Sequence, residues 1–194
     1  MSYRITRGLT RGQRGAAARL YWQAFGSKLG RVMGPEPRAI GFIEKVICPE
    51  HVLAAVDAEG QVLGVVGFRT WAGSFVGGSH TDLVAHYGRF GAIWRGACLS
   101  VIARDLLAGE LVVDGLVVRS DRRGERIGAA LMRALLDEAR ARGYTEVRLD
   151  VIGENIRARA LYDRLGFVVT QRQESRLTRL IFNYRSALVM VRQL

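Results

Sequence analysis

Cysteine is nearly absent from this 194-residue chain: Cys48 and Cys98 stand alone, with no C-x-x-C. Two cysteines permit at most one bridge, and a chain this long does not need it to hold a core. Histidine is scarce too. His51, His80 and His86 have no metal-ligand spacing, so no metal is expected. No apolar run is long enough to cross a bilayer, so no membrane partner is expected. The opening Met1-Ser2-Tyr3-Arg4-Ile5-Thr6-Arg7 lacks an apolar core. No signal peptide is expected from it, and a reducing cytoplasm is the expected location. There is neither an internal repeat nor a low-complexity block. Lysine is confined to Lys28 and Lys45.

What remains is an ordinary globular composition, 49% hydrophobic and 24% charged. It is read as one domain over 1–194. The formal charge of +11 is nearly all arginine. Arginine's planar fork suits phosphate and carboxylate, which points to a phosphorylated cofactor, RNA or an acidic substrate. The competing reading is an arginine bias spread over a solvated surface, and it suits most of them. Only the arginines near Gly124 and Gly128 have a local reason to bind.

Along the chain, Tyr3–Thr6 reads as a strand and Thr10–Phe25 as a helix, with Ala17, Leu20, Tyr21, Ala24 and Phe25 at helical spacing. Gly-Pro-Glu-Pro at 34–37 breaks it, and Arg38–Ile47 reads as a short helix. Val52–Val56 and Val62–Trp71 form a hairpin around Asp57–Gly60. Leu83–Leu107 has helical spacing, broken by Gly88, Gly91 and Gly96. Leu111–Val118 is a strand in which Gly115 marks a bulge. Arg126–Arg142 is an amphipathic helix closed by Gly143. Val147, Leu149 and Val151 alternate as in a half-exposed strand. Asn155–Leu165 is a helix, Phe167–Thr170 and Ala187–Val191 are closing strands, and Arg172–Arg185 is a polar connection. The alternation predicts a mixed sheet with helices on both faces.

Two places carry chemistry. In Arg122-Arg123-Gly124-Glu125-Arg126-Ile127-Gly128 a strand passes into a helix whose first N–H groups lack intrahelical acceptors. The helix dipole adds partial positive charge, so an anion binds naturally there. The glycines allow close approach and the arginines add charge. An ordinary connection with solvated arginines fits the local spacing equally well. The pattern is neither G-x-G-x-x-G nor G-x-x-x-x-G-K-[ST], which excludes Rossmann and Walker sites. In the second place Asn155 starts a helix that carries Ala158, Tyr162 and Leu165 on one face. Taken alone, Asn155 is a cap and Tyr162 a packing aromatic.

Together these segments resemble the GCN5-related N-acetyltransferase (GNAT) superfamily. Arg123-Gly124-Glu125-Arg126-Ile127-Gly128 is similar to its R/Q-x-x-G-x-G/A pyrophosphate signature. Glu154-Asn155-Ile-Arg-Ala158-Arg-Ala-Leu-Tyr162-Asp-Arg-Leu-Gly166-Phe167 is similar to its N-x-x-A-x-x-x-Y-x-x-x-G-F segment. The match is close over about 110–170. One position departs: the first signature glycine is Arg126 here, which either turns outward or offers its guanidinium.

The resemblance implies an α/β (α+β) fold with a mixed, mostly antiparallel sheet, two splayed parallel central strands and helices on both faces. It implies acetyl-CoA as cosubstrate, held by Leu116, Val117 and Val118 of the first splayed strand. Arg123, Gly124, Glu125, Arg126, Ile127, Gly128 and Ala129 of the turn, Asn155 and Tyr162 complete the set. Tyr162 would protonate the departing thiolate. No acyl-enzyme is needed, so neither cysteine is a nucleophile. The acceptor is expected to be a small-molecule or peptide primary amine, which a base must deprotonate. Glu110 and Asp114 are the candidates and face the same way if no bulge intervenes. Relatives with a glutamate early on this strand favour Glu110, although a salt-bridged role suits either. Tyr21, Trp22 and His86 are candidate lining of the acceptor pocket. The long 72–109 connection reads as a helical insertion. It serves either as a lid over the acceptor site or as a peripheral helix or dimer contact, and a homodimer is left open. Two alternatives stand: an acyl-CoA-binding module without turnover, and an RNA-directed protein. The latter rests only on the arginine excess, so nucleic acid is not expected.

Overall fold

The computed structural model describes residues 3–101, 105–174, 181–182 and 186–194. Among them eight strands form one mixed sheet in the order β1-β2-β3-β5-β6-β8-β7, with β4 paired to β3. β1 is Arg4–Arg7, β2 Val52–Val56, β3 Val62–Thr70 and β4 Gly73–Ser74. β5 is Glu110–Val118, β6 Glu146–Ile152, β7 Val168–Glu174 and β8 Ser186–Gln193. The neighbours are antiparallel except β5 and β6.

The hairpin of β2 and β3 follows from its residues. β2 is wholly buried and apolar, as befits a central strand. Gly60 takes φ 79° in the turn, and Asp57 Oδ1 accepts the Gln61 N–H at 2.7 Å. Gly64 lies against β5, where a Cβ would stand 2.8 Å from the Val117 carbonyl oxygen.

The helices are α1 (Arg14–Met33), α2 (Glu36–Val46), α3 (His80–Ser100), α4 (Ile127–Ala141) and α5 (Ile156–Arg164). They divide the core between the sheet's faces. One apolar cluster joins α1, α2 and α3 to Val52, Ala54, Val65 and Val117 of the sheet. The other joins α4 and Tyr162 of α5 to Leu63, Leu111, Val113, Leu149 and Val151. α4 carries Ile127, Leu131, Leu135 and Ala139 on its buried face, each large side chain contributing roughly 1.5–3 kcal/mol. It ends where Gly143, at φ 78°, donates its N–H to Arg140 O at 2.9 Å.

Several boundaries differ from the sequence reading. α1 continues past Phe25 to Met33. Gly26 and Gly30 are carried inside it, because Val32 and Met33 in its last turn are buried. Gly-Pro-Glu-Pro starts a helix more than it breaks one: Pro35 is the N-cap of α2, and Glu36 and Pro37 form its first turn, where proline's missing N–H costs nothing. Gly88, at φ 75° and ψ 167°, interrupts α3 and divides it into two helical pieces. Residues 102–104 of the expected 83–107 helix lie outside the described residues. β7 extends to Glu174, so Arg172–Glu174 belongs to a strand rather than a connection. Of that connection, 175–180 and 183–185 lie outside the described residues.

Candidate active site

β5 and β6 pair in parallel only from Glu110 opposite Glu146 to Val113 opposite Leu149. Beyond that they part. β5 stays with β3 through Val118, and β6 stays with β8 through Ile152. A V-shaped gap therefore opens towards the ends of the two strands, beyond which α4 and α5 begin.

The parting coincides with a bulge. Gly67 faces Gly115 and Phe68 faces Val113, which leaves Asp114 as the extra residue on β5. Such an insertion makes two successive residues face one way. Asp114 and Gly115 both turn towards α1: Asp114 reaches the Phe75 N–H, and a Cβ on Gly115 would meet the Phe25 ring at 2.8 Å. Beyond the bulge the ladder can be followed from Arg119, whose N–H donates to Leu63 O at 2.8 Å. In an antiparallel pair the hydrogen-bonded positions alternate. Val117, two residues back, therefore directs its main-chain groups to β3, while Leu116 and Val118 direct theirs into the gap. The resemblance implies main-chain contacts for Val117 as well, whereas here those groups face β3. Its side chain packs in the cluster beneath α1.

The gap leads to the turn before α4. Gly124 has φ 93°, and Arg126, the helix N-cap, has φ 60° and ψ 11°. The glycine-like conformation at this position is thus kept although the residue is arginine. The first ladder bond of the helix is Ala130 N–H to Arg126 O, 3.0 Å. The N–H groups of Ile127, Gly128 and Ala129 precede it and have no intrahelical acceptor. Arg122 is held by both carboxylate oxygens of Glu125 at 2.7 and 2.9 Å, and Arg119 likewise by Asp121 at 3.1 and 2.6 Å. The Glu125 carboxylate is therefore occupied within the turn, while Arg123 and Arg126 are exposed. Across the gap, Asn155 caps α5, its Oδ1 accepting Ala158 N–H at 3.2 Å.

The titratable candidates fall on opposite faces of the sheet. Tyr162 is buried on the α4 side with Phe167 edge-on at 5.9 Å. Burial pushes its phenol up to about 12. Asp114 is on the α1 side. Its Oδ2 accepts the Phe75 N–H at 3.1 Å, and its Oδ1 lies 3.9 Å from Arg69 Nε. Burial lifts its carboxyl to about 6, with the Arg69 charge and the Phe75 hydrogen bond pulling the other way. Tyr21 is raised far above the usual phenol value, first by burial and then by the Asp114 charge.

Glu110 sits at the closed end of the V, fully buried. Arg148 Nη1 contacts its Oε1 at 2.9 Å, and Leu107 N–H donates to its Oε2 at 3.0 Å. Alternation places it on the same face as Asp114, because the bulge falls at Asp114 and not between the two. Of the other candidates, Trp22 is a core residue of α1 itself. His86 fastens α3 to α2, with Nε2 2.8 Å from Arg38 O. Beside Asp114, Phe75 is one of the aromatics of the long 72–109 connection read as a wall of the acceptor site, while no sequence signal marks Arg69. Gly67 makes room for the ring: a Cβ there would stand 2.3 Å from Phe75.

A mixed sheet with one parted parallel pair, the gap running to a helix N-terminus, defines the acetyltransferase class of fold. The model of the acetyltransferase (GNAT) family matches residues 16–167, and the chain belongs to that family. Over 63 residues it is 48% identical to a mycothiol acetyltransferase from Beutenbergia cavernae, a match that covers 32% of this chain and 20% of that protein. Among solved structures, a GCN5-related N-acetyltransferase from Kribbella flavida superposes with a TM-score of 0.66 at 18% identity, covering 99% of this chain and 98% of the other. An N-acetyltransferase from Staphylococcus aureus Mu50 gives 0.68 at 14% identity, covering 97% and 100%. These structures share the fold. Family membership and the 63-residue match support acetyl transfer in general, with acetyl-CoA the cosubstrate expected for the family.

Proposed function

We propose that this protein is an N-acetyltransferase that moves the acetyl group of acetyl-CoA directly to a primary amine within a ternary complex. The observation that carries the reading is Asp114. It is a largely buried carboxylate with a raised pKa, at the bulge where β5 leaves β6, on the opposite face from Tyr162.

The residues fit the cosubstrate at both ends. The free N–H groups of Ile127, Gly128 and Ala129 and the open conformation at Gly124 suit a diphosphate, with Arg123 and Arg126 adding charge at the rim. Leu116 and Val118 offer main-chain groups to an extended amide-bearing arm, as a missing strand would. Asn155 keeps its side-chain N–H groups for the same arm while its oxygen caps α5.

An alkyl amine is only about one part in two thousand neutral at pH 7. Asp114 takes the excess proton on the α1 side. The amine nitrogen then bonds to the thioester carbon, and the Leu116 N–H receives the developing oxyanion. The carbon–sulfur bond breaks towards the α4 side, where Tyr162 gives its proton to the thiolate; the second proton lost by the nitrogen restores the phenol, and the first passes from Asp114 to solvent. Glu110 takes no part, being held by Arg148.

The similarity to a mycothiol acetyltransferase supports a small-molecule acceptor over a protein one. Arg69 Nε bears on the acceptor's chemistry: it is buried, 3.9 Å from Asp114, and without a hydrogen-bond partner among the described residues. It favours an acceptor with an oxygen near its amine. Thiol release from acetyl-CoA across a panel of amines tests the reading. Amino alcohols and amino sugars are expected to outrun simple alkylamines. Calorimetric binding of CoA with no thiol release for any amine would instead establish a binding module without turnover.

A further inference from the structure

α3 is apolar on two opposite sides. Its inner side is buried at Leu83 and Tyr87 before the break at Gly88, and at Ala92, with Leu99 partly buried, in the piece after it that carries the outer side. It is fixed there by the Tyr87 hydroxyl, which donates to Met33 O at 2.8 Å, and by the Arg38 guanidinium, which donates to His86 O at 2.7 Å. Its outer side carries Phe90 at 90% exposure, Ile93 at 63%, Trp94 at 43% and, at its C-cap, Val101 at 37%. With Ala97 they follow the helical repeat of a single face. A helix that is apolar all round belongs inside a protein, yet half of this one faces solvent.

We propose that the outer face of α3 is the contact with a second copy of this chain, helix against helix about a two-fold axis. The area matches. At those exposures the four side chains leave on the order of 450 Å² of apolar surface in water, taking ~200 Å² for a large side chain. That is about the size of the largest patch on a monomer, a patch that is often functional. A standard interface buries about 800 Å² per partner, a little over half of it apolar, and so needs about this amount.

The charges also suit a like partner. α3 carries three charged residues, Asp82, Arg89 and Arg95. Asp82 is used in the capping box with Ser79. Arg95 is folded back, its guanidinium 4.0 Å from the Tyr87 ring centre and 4.7 Å from that of Trp94, and Nη1 donates to Gly91 O at 3.1 Å. Among the described residues of α3, only Arg89 borders the stripe as an exposed charge. With the axis near Trp94 and the helices antiparallel, the two Arg89 residues lie ~15 Å apart along the helix direction. That exceeds the Debye length of about 8 Å at physiological salt. An anionic bilayer would instead call for a fringe of outward basic residues around the aromatics, and the described residues of α3 offer Arg89 alone.

Light scattering and sedimentation of the full chain across a concentration series test this. A dimer is expected whose dissociation constant falls as salt is raised, because salt screens the +11 charge on each copy while leaving the apolar contact intact. Phe90→Ser with Ile93→Ser removes exposed side chains only. The variant is expected to keep the circular dichroism of the parent and to weaken self-association at least 100-fold. A parent that stays monomeric at the highest concentration overturns the proposal, and so does a variant that dimerises like the parent. Flotation with vesicles of anionic lipid is the third arm. A monomeric parent that floats, and a variant that does not, would assign the face to lipid and overturn it as well.

Discussion

Two carboxylates on one face of β5, one at the closed end of its pairing with β6 and one where that pairing opens, are treated by the fold in opposite ways. At the closed end Glu110 is buried with a guanidinium 2.9 Å away and a backbone N–H on its other oxygen. At the open end Asp114 is half-buried with one backbone N–H, and its nearest cation stands 3.9 Å off. A buried charge that is fully paired belongs to the fold. One that is incompletely paired is a charge the fold holds at a cost, as groups reserved for chemistry are. The parallel register makes the difference. It places Arg148 beside Glu110 where β5 and β6 still pair, and nothing equivalent beside Asp114 where they part.

The largest expected effect tests the closed end. Glu110→Ala leaves Arg148 buried without its counter-charge, and unfolding in urea is expected to show a loss of about 3–5 kcal/mol. Thiol release per folded molecule should stay near that of the parent. A loss of turnover in the folded fraction would move Glu110 into the mechanism and erase the contrast.

Asp114→Asn tests the open end. Removing a general base is expected to slow turnover about 100- to 1000-fold, with CoA binding unchanged by calorimetry. Stability should move the other way. The folded carboxyl has its pKa raised to about 6, so the native state holds a proton more tightly than the unfolded chain does. That contribution is full below the unfolded value near 4 and is lost as pH rises through 6. At neutral pH the ionised group therefore costs the native state up to about 3 kcal/mol, and the asparagine variant should be more stable by about 1–3 kcal/mol. The same ionisation should appear in the parent as a limb of kcat/KM that rises with pH through about 6. In the variant this limb should vanish. A variant that is both inactive and destabilised would make Asp114 a structural residue like Glu110.

How much of this contrast can be read from the chain depends on how local its causes are. The period of Ile127, Leu131 and Leu135 places α4 within a residue, and Val52–Val56 is a strand with the bounds expected. The bulge is foreshadowed by Gly115, because an aromatic ring packed against that position leaves no room for a side chain. The pairing of Glu110 with Arg148 is not legible. It joins residues 38 apart through a parallel register that no local pattern encodes. Nor is the setting of Asp114, since Arg69 and Phe75 reach it across β3 and a two-residue strand too short to show any periodicity. The motifs thus marked the end of the gap proposed for the cosubstrate, where the free N–H groups of Ile127, Gly128 and Ala129 are consecutive in the chain. They left the acceptor end, assembled from distant segments, largely blank.

A smaller effect is expected across the sheet. Tyr162→Phe removes the proton aimed at the thiolate. A thiolate is a fair leaving group, with an ordinary pKa near 8.5, so the loss in turnover should be about 10-fold rather than more. CoA affinity should be nearly unchanged. Because the phenol is pushed up to about 12, it keeps its proton through the working range, and the Phe variant should leave the limb near pH 6 where it is. Equal rates for variant and parent would remove Tyr162 from the reaction. A shifted limb would assign the ionisation to Tyr162's surroundings instead of Asp114.

The smallest effect concerns Arg126, where the conformation of the turn and the identity of the residue disagree. At φ 60° an L-residue brings its Cβ towards its own carbonyl, at a cost of roughly 1–2 kcal/mol. Glycine removes that cost but loses about 0.5–1 kcal/mol through its freer unfolded state. Arg126→Gly should therefore stabilise the fold by about 0.5–1 kcal/mol net, readable as a rise of a few degrees in Tm. If the amides of Ile127, Gly128 and Ala129 do the gripping, loss of an exposed guanidinium at the rim should weaken CoA by no more than about three-fold, as for other solvated ion pairs. That loss should fade with added salt. A drop of 10-fold or more that persists in salt would mean that Arg126 accepts its left-handed backbone in order to place a guanidinium on the diphosphate. The turn would then hold its ligand by a side chain as well as by its main chain.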